Sequence, residues 1–345
     1  MSVGFRAVQW NRAKIVYDAI LAVAVAAYLA VFIAYALAHT PPADSDGWTD
    51  LLLKALGSCA FLMLSLILCI GPLARLSPRF LPLLYNRRHF GVAMASIAAL
   101  HAMVMFAWYI GRGALPSLLE ELSDPAAYAG FIGFPFKLPG MVALAVLFTM
   151  AATSHDYWQQ FLGPRVWKAL HMAVYPAYGL VVIHVALGAL QKSGAFMPAL
   201  LFASLGTVGT LHLVAGWREW GADREADAHD GWITLFPPAA IADQRARVIS
   251  AGGERIAVFR DGATVAAVTN LCAHQQGPLG EGRVIDGCIT CPWHGYQYRL
   301  SDGCAPPPFG EKLATYRLRL RDGMLELDPR PLAPGTPAAL TLPAP

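Results

Sequence analysis

Six long apolar stretches fill the first two-thirds of this 345-residue chain, and they leave few folds open to it. They run over residues 15–38, 51–73, 90–111, 138–153, 169–190 and 196–216. A helix needs about 20 residues to cross a hydrocarbon core of about 30 Å. It also satisfies its own backbone hydrogen bonds, which lipid cannot do. Five stretches have that length, and the fourth is shorter, starting at Pro139-Gly140. A membrane all-α six-helix bundle is therefore expected over residues 1–216. Arg6, Arg12 and Lys14 precede the first stretch and Ala36-Leu37-Ala38 ends it, as in a secretory signal. Its apolar part is longer than a signal core, so an uncleaved helix is expected.

Lys and Arg accumulate in cytoplasmic loops. Ten basic residues fall on one side of the bundle: Arg6, Arg12, Lys14, Arg75, Arg79, Arg87, Arg88, Arg165, Lys168 and Arg218. Four fall on the other: Lys54, Arg112, Lys137 and Lys192. The expectation is an integral protein of a bacterial inner membrane with both termini in the cytoplasm. The net charge of +3, with no Lys/Arg-rich tract, gives no ground for a nucleic-acid partner, and none is expected.

After residue 216 ordinary charge returns. A charged linker is expected over 217–230, then an all-β domain over 231–329 and a disordered Pro- and Ala-rich tail over 330–345. Short β-like runs (247–249, 255–260, 265–269, 289–290, 315–320 and 324–327) alternate with Asp-Gly pairs, the mark of tight antiparallel turns. Of six cysteines, the four after residue 216 are too few in so long a chain to make a disulfide framework. Cys59 and Cys69 read as buried thiols of the second span, and Cys288 and Cys304 as free thiols.

The remaining two cysteines carry the strongest chemical signal. Cys272-Ala-His274 is followed, after sixteen residues, by Cys291-Pro-Trp-His294. Two loops, each offering one Cys and one His, suit a Rieske [2Fe–2S] cluster: one iron takes the thiolates, the other the imidazoles. Tetrahedral zinc also uses two Cys and two His, but at other spacings. Gly277-Pro278 and Gly295 would let backbone N–H groups approach the sulfides.

Histidines at membrane depth are the second signal, because polar groups there are costly and functional. His89 and His101 lie about 18 Å apart along the third span, and His171 and His184 about 20 Å apart along the fifth. Both spans start on one side, so His101 matches His184 in depth and His89 matches His171. Such pairs suit one or two b-type haems. Hydrogen bonding between helices is the other use of such residues.

These residues also carry family resemblances. Arg87-Arg88-His89-Phe90-Gly91 with Leu100-His101, then Thr153-Ser154, Leu162-Gly163, Trp167-Lys168-Ala169-Leu170-His171, Tyr175 and His184, resemble the ferric-reductase-like transmembrane domain over residues 15–216. The similarity is to haem-binding membrane subunits of periplasmic methionine sulfoxide reductase systems, and more distantly to NADPH oxidases. It implies His101, His171 and His184 as haem ligands. The inner third-span histidine of the oxidases is Arg87 here, with His89 two residues on, and nothing in these residues resembles a flavin or nicotinamide domain.

Cys272-Ala-His274-Gln-Gln-Gly277-Pro278-Leu279 and Cys291-Pro-Trp-His294-Gly295-Tyr296-Gln297-Tyr298 resemble Rieske ferredoxins and the Rieske domains of ring-hydroxylating dioxygenases. Rieske proteins of cytochrome bc complexes carry disulfide cysteines where Gly277 and Trp293 stand, and a serine where Tyr296 stands. Fewer hydrogen bonds to the cluster imply a potential near the low end of the Rieske range, about −150 mV.

Together these features imply an electron-carrying oxidoreductase subunit. A cytoplasmic donor, a reductase or ferredoxin, would serve the cluster, and an acceptor protein or ferric chelate would be served across the lipid bilayer. The alternative is a Rieske redox sensor or binding module with no net transmembrane flow.

Overall fold

The computed structural model describes residues 12–84, 86–124, 128, 134–189, 194–222, 228–229, 231–274, 276–293 and 295–343. Its contacts form two compact units. One comprises residues 11–70 and 87–211, and the other takes in residues 71–86 and 212–345.

The helices are α1 (Arg12–His39), α2 (Ser45–Leu76), α3 (Leu81–Leu84), α4 (Arg87–Gly111), α5 (Leu115–Ser123), α6 (Lys137–Ala152), α7 (Asp156–Met172), α8 (Val174–Ala189) and α9 (Phe196–Ala222). The helices outnumber the six expected spans for simple reasons. α3 and α5 are short connecting helices, and the fifth apolar stretch is shared by α7 and α8. Pro176 explains that break: it has no N–H for the carbonyl of Met172, and α8 restarts at Val174. Among the described residues, five helical stretches are long and apolar enough to cross a membrane, and α6 is the shorter sixth. α1 leaves Ile20, Val23 and Val31 exposed, as a lipid-facing helix should. α2 is the most buried, with Cys59 and Cys69 both inside, as expected. α6 packs against α8 and α4, which brings the third and fifth apolar stretches to one neighbourhood.

The β-rich part consists of β1 (Ala228–His229), β2 (Trp232–Thr234), β3 (Ala246–Ala251), β4 (Glu254–Asp261), β5 (Thr264–Thr269), β6 (Arg283–Ile285), β7 (Cys288–Thr290), β8 (Gln297–Arg299), β9 (Thr315–Tyr316), β10 (Leu318–Arg321), β11 (Met324–Leu327) and β12 (Leu340–Thr341). Among the described residues they form antiparallel sheets in the orders β1-β2-β11-β10, β12-β5-β4-β3 (with β9 also on β5) and β6-β7-β8. Alternation along β4 and β5 divides two cores. Ala257, Phe259, Ala266 and Val268 pack with Cys272, Cys291, Tyr296 and Tyr298. Ile256, Val258, Val265 and Ala267 pack with Ile233, Leu325 and Leu327. The Asp-Gly pairs are turns as expected: Asp286-Gly287 and Asp322-Gly323 both have positive φ at each residue, which tight hairpins require.

Residues 217–222 of the expected linker extend α9, while 223–227 and 230 lie outside the described residues. The expected disorder of the tail is corrected. Leu340–Thr341 pair with β5, and Leu340 and Leu342 pack on the second core. Composition signalled disorder, but an open strand edge and two leucines supply an anchor.

Candidate redox sites

The cluster loops sit at the ends of short strands. The first follows β5, and the second joins β7 to β8. Each is folded back on its cysteine by backbone hydrogen bonds. Cys272 N–H donates to Gly277 O at 2.9 Å, and Gln276 N–H donates to Cys272 O at 2.6 Å. Cys291 N–H donates to Tyr296 O at 2.8 Å, and Gly295 N–H donates to Cys291 O at 2.9 Å. Buried Asn270 braces the first loop by accepting from Gly280 N–H at 2.7 Å.

The two loops meet at Gly277. A Cβ built there would lie 2.8 Å from Cys291 Sγ and 3.0 Å from Trp293 Cδ2, so no side chain fits. Cys272 and Cys291 are buried, as is His274 Nδ1. Two buried sulfurs on loops in contact, with a buried imidazole nitrogen beside them, fit an iron–sulfur group. His294, the fourth expected ligand, lies outside the described residues.

Two tyrosines flank this set, with different roles. Tyr296 stacks on His274, ring centres 4.7 Å apart and 9° from parallel, and its hydroxyl donates to Glu311. Tyr298 turns its hydroxyl to the first loop, where the oxygen accepts from His274 N–H at 3.1 Å and lies 3.3 Å from Cys272 Sγ. With the oxygen taken as acceptor, its proton is the one offered to sulfur. Burial pushes the Tyr298 hydroxyl far above the ordinary phenol range, and the Cys272 sulfur adds to this, so it stays a donor. Sequence reading placed Tyr298 in the motif without a role. Its place in a short apolar–polar run just after the second cysteine–histidine pair is the signal the sequence offers.

In the membrane unit, the four candidate histidines share one arrangement. His101 Nδ1 contacts Leu53 O at 3.0 Å, His184 Nδ1 contacts Phe136 O at 2.7 Å, and His171 Nδ1 contacts Trp167 O at 2.9 Å. His89 Nδ1 contacts Asp18 Oδ2 at 2.7 Å. Carbonyls only accept, so in His101 and His184 Nδ1 carries the proton and Nε2 keeps its lone pair. Metal-binding histidines are oriented in this way.

Of the four, His101 and His184 come together, ring centres 6.2 Å apart and planes at 82°. Two metal–nitrogen bonds of about 2 Å, plus about 1 Å from nitrogen to ring centre on each side, give about 6 Å. The pair therefore has the spacing of two imidazoles on one iron, and these residues fit a haem. Elsewhere, His171 stacks on Trp167 with its Nε2 3.5 Å from Ser154 Oγ, while His89 meets Asp18 of α1. Sequence reading missed two glycines here. Gly57 lies against His101 and Gly140 against His184.

Residues 231–317 match the family model of the Rieske [2Fe-2S] domain, and residues 56–182 that of the ferric reductase like transmembrane component. The anthranilate 1,2-dioxygenase ferredoxin subunit of Burkholderia cepacia is 40% identical over 81 residues, which are 23% of this chain and 73% of that protein. The protein-methionine-sulfoxide reductase heme-binding subunit MsrQ of Azospira oryzae is 29% identical over 207 residues, 59% of this chain and 79% of that protein. Cholesterol 7-desaturase nvd 1 of Ciona intestinalis is 29% identical over 107 residues, 30% of this chain. The chain spans only 23% of the length of that desaturase. The chain thus belongs to the Rieske [2Fe–2S] family, and it joins that domain to a ferric-reductase-like transmembrane domain in one integral membrane protein.

Proposed function

We propose that this chain moves electrons across a membrane between a Rieske cluster and one or two b-type haems. The observation that carries this reading is the His101–His184 pair, at the spacing of two ligands on one iron and with both Nδ1 atoms engaged by carbonyls. Similarity to a protein named as a heme-binding subunit supports the haem, and similarity to one named as a ferredoxin subunit supports exchange with a protein partner.

A bound cluster and a bis-imidazole haem each supply one-electron chemistry without a substrate site at the metal. The chain's own residues provide the rest. Cys272, His274, Cys291 and His294 hold the cluster, and Tyr298 donates to one of its sulfur ligands. His101 and His184 hold the haem, while His171 and, with Asp18 behind it, His89 are the residues for a second. On the proposed orientation, both termini face the cytoplasm of a bacterial inner membrane. The donor is then a cytoplasmic reductase or ferredoxin, and the acceptor an outer protein or ferric chelate.

The test is haem and iron analysis of the full chain purified in detergent, with His101→Ala and His184→Ala. Each variant should lose one low-spin haem per chain, measured against wild type, and keep the Rieske EPR signal. Wild-type protein free of haem, or a haem content unchanged in both variants, would overturn the reading.

A further inference from the structure

Glycine is common in membrane helices, and Gly91, Gly179, Gly206 and Gly209 have open space where a side chain would be. Gly57 of α2 and Gly140 of α6 do not, and both meet a histidine ring. A Cβ at Gly57 would lie 3.1 Å from both Cε1 and Nδ1 of His101. A Cβ at Gly140 would lie 2.6 Å from Nδ1 and 2.8 Å from Cε1 of His184. Each imidazole thus rests against the bare backbone of a neighbouring helix. Each is also held from a nearby carbonyl: Leu53 O lies one turn before Gly57, and Phe136 O one turn before Gly140. The two halves repeat one device, a carbonyl accepting from Nδ1 and, four residues on, a glycine against the same edge of the ring. The result is a pair of rings crossed at 82°.

We propose that Gly57 and Gly140 are positioning residues that set the crossed orientation of the His101 and His184 imidazoles, and so the ligand field of the iron they hold. This rests on the haem reading above. Crossed imidazole planes leave the two π-type d orbitals of ferric iron nearly equal in energy, whereas parallel planes split them. A crossed pair therefore gives a highly anisotropic low-spin EPR signal, and turning one ring toward the other reduces its largest g value. At Gly140 a methyl group is too close for the ring to stay in place, and at Gly57 a shift of a few tenths of an ångström would make room.

The experiment is EPR and haem content of the oxidised full chain and four alanine variants. Gly57→Ala and Gly140→Ala are the tests. Gly91→Ala on α4 and Gly179→Ala on α8 are the controls, since nothing lies within 4 Å of a Cβ at either. The expected result is a highly anisotropic wild-type signal that the controls keep. Gly57→Ala should shift its largest g value with haem retained, and Gly140→Ala should shift it further or lose the haem. Wild-type spectra in both test variants would overturn the proposal, as would equal haem loss in all four. A rhombic wild-type signal would overturn it too. A haem content unchanged in His101→Ala would instead sink the ligand assignment on which it rests.

Discussion

Replacing Tyr298 by phenylalanine removes one hydroxyl from the cluster loops and should lower the Rieske potential. That hydroxyl accepts from His274 N–H and offers its proton to Cys272 Sγ at 3.3 Å. A hydrogen bond to a charged acceptor contributes about 1.5–3 kcal/mol, and reduction makes the sulfur more negative, so part of this is gained only in the reduced state. If that part is about 1–1.5 kcal/mol, a one-electron scale of about 59 mV per tenfold gives a fall of about 40–65 mV. The variant also leaves His274 N–H without the tyrosine oxygen, a stability loss of about 1–3 kcal/mol. The assay is EPR-monitored redox titration of the full chain. Tyr296→Phe is the comparison: its hydroxyl serves Glu311, so its potential should move less. An unchanged midpoint in Tyr298→Phe, with an intact cluster signal, would refute the reasoning.

Three further outcomes follow from particular contacts. Gly277→Ala should lose the cluster, measured as Rieske iron and EPR signal, because its Cβ would sit 2.8 Å from Cys291 Sγ. Deleting residues 331–345 should lower the melting temperature of the β-rich part, since it removes the strand paired with β5; a disordered tail would be removed without effect. Asp328→Asn should destabilise at neutral pH. Hydrogen bonds from Arg330 hold the Asp328 carboxyl below its ordinary range, so the stabilisation is present above the unfolded Asp value of about 3.9 and is lost as pH falls through the lower folded value. Wild-type and variant melting temperatures should converge in acid.

Much of this architecture was legible because it rests on local rules. Apolar stretches of membrane length gave the helices, and Asp-Gly pairs with alternating runs gave the hairpins. The Cys-x-His and Cys-x-x-His spacing identified the cluster loops. Depth matching along two spans placed His101 with His184, and the structure joins them. What was not legible depends on partners distant in sequence. The hydroxyl of Tyr298 could serve any neighbour until the strand placed it beside Cys272. Gly57 and Gly140 look like ordinary small residues of apolar helices until a ring from another helix is packed on each. The tail was misread because Pro and Ala signal disorder, whereas Leu340 finds an open edge of β5. The fifth stretch reads as one helix, but the proline in it divides α7 from α8.

Electron passage through the chain itself tests the central claim most directly. The full chain is sealed in vesicles with ferricyanide trapped inside, and a reductant that cannot cross the bilayer, able to reduce the Rieske centre, is added outside. Internal ferricyanide should be consumed with the wild type, and consumption should stop in Cys272→Ser and in His101→Ala alike. Loss in both variants is expected only if cluster and haem lie on one path. A cluster that is fully reduced while the haem stays oxidised and the trapped ferricyanide persists would contradict the account and favour a redox sensor.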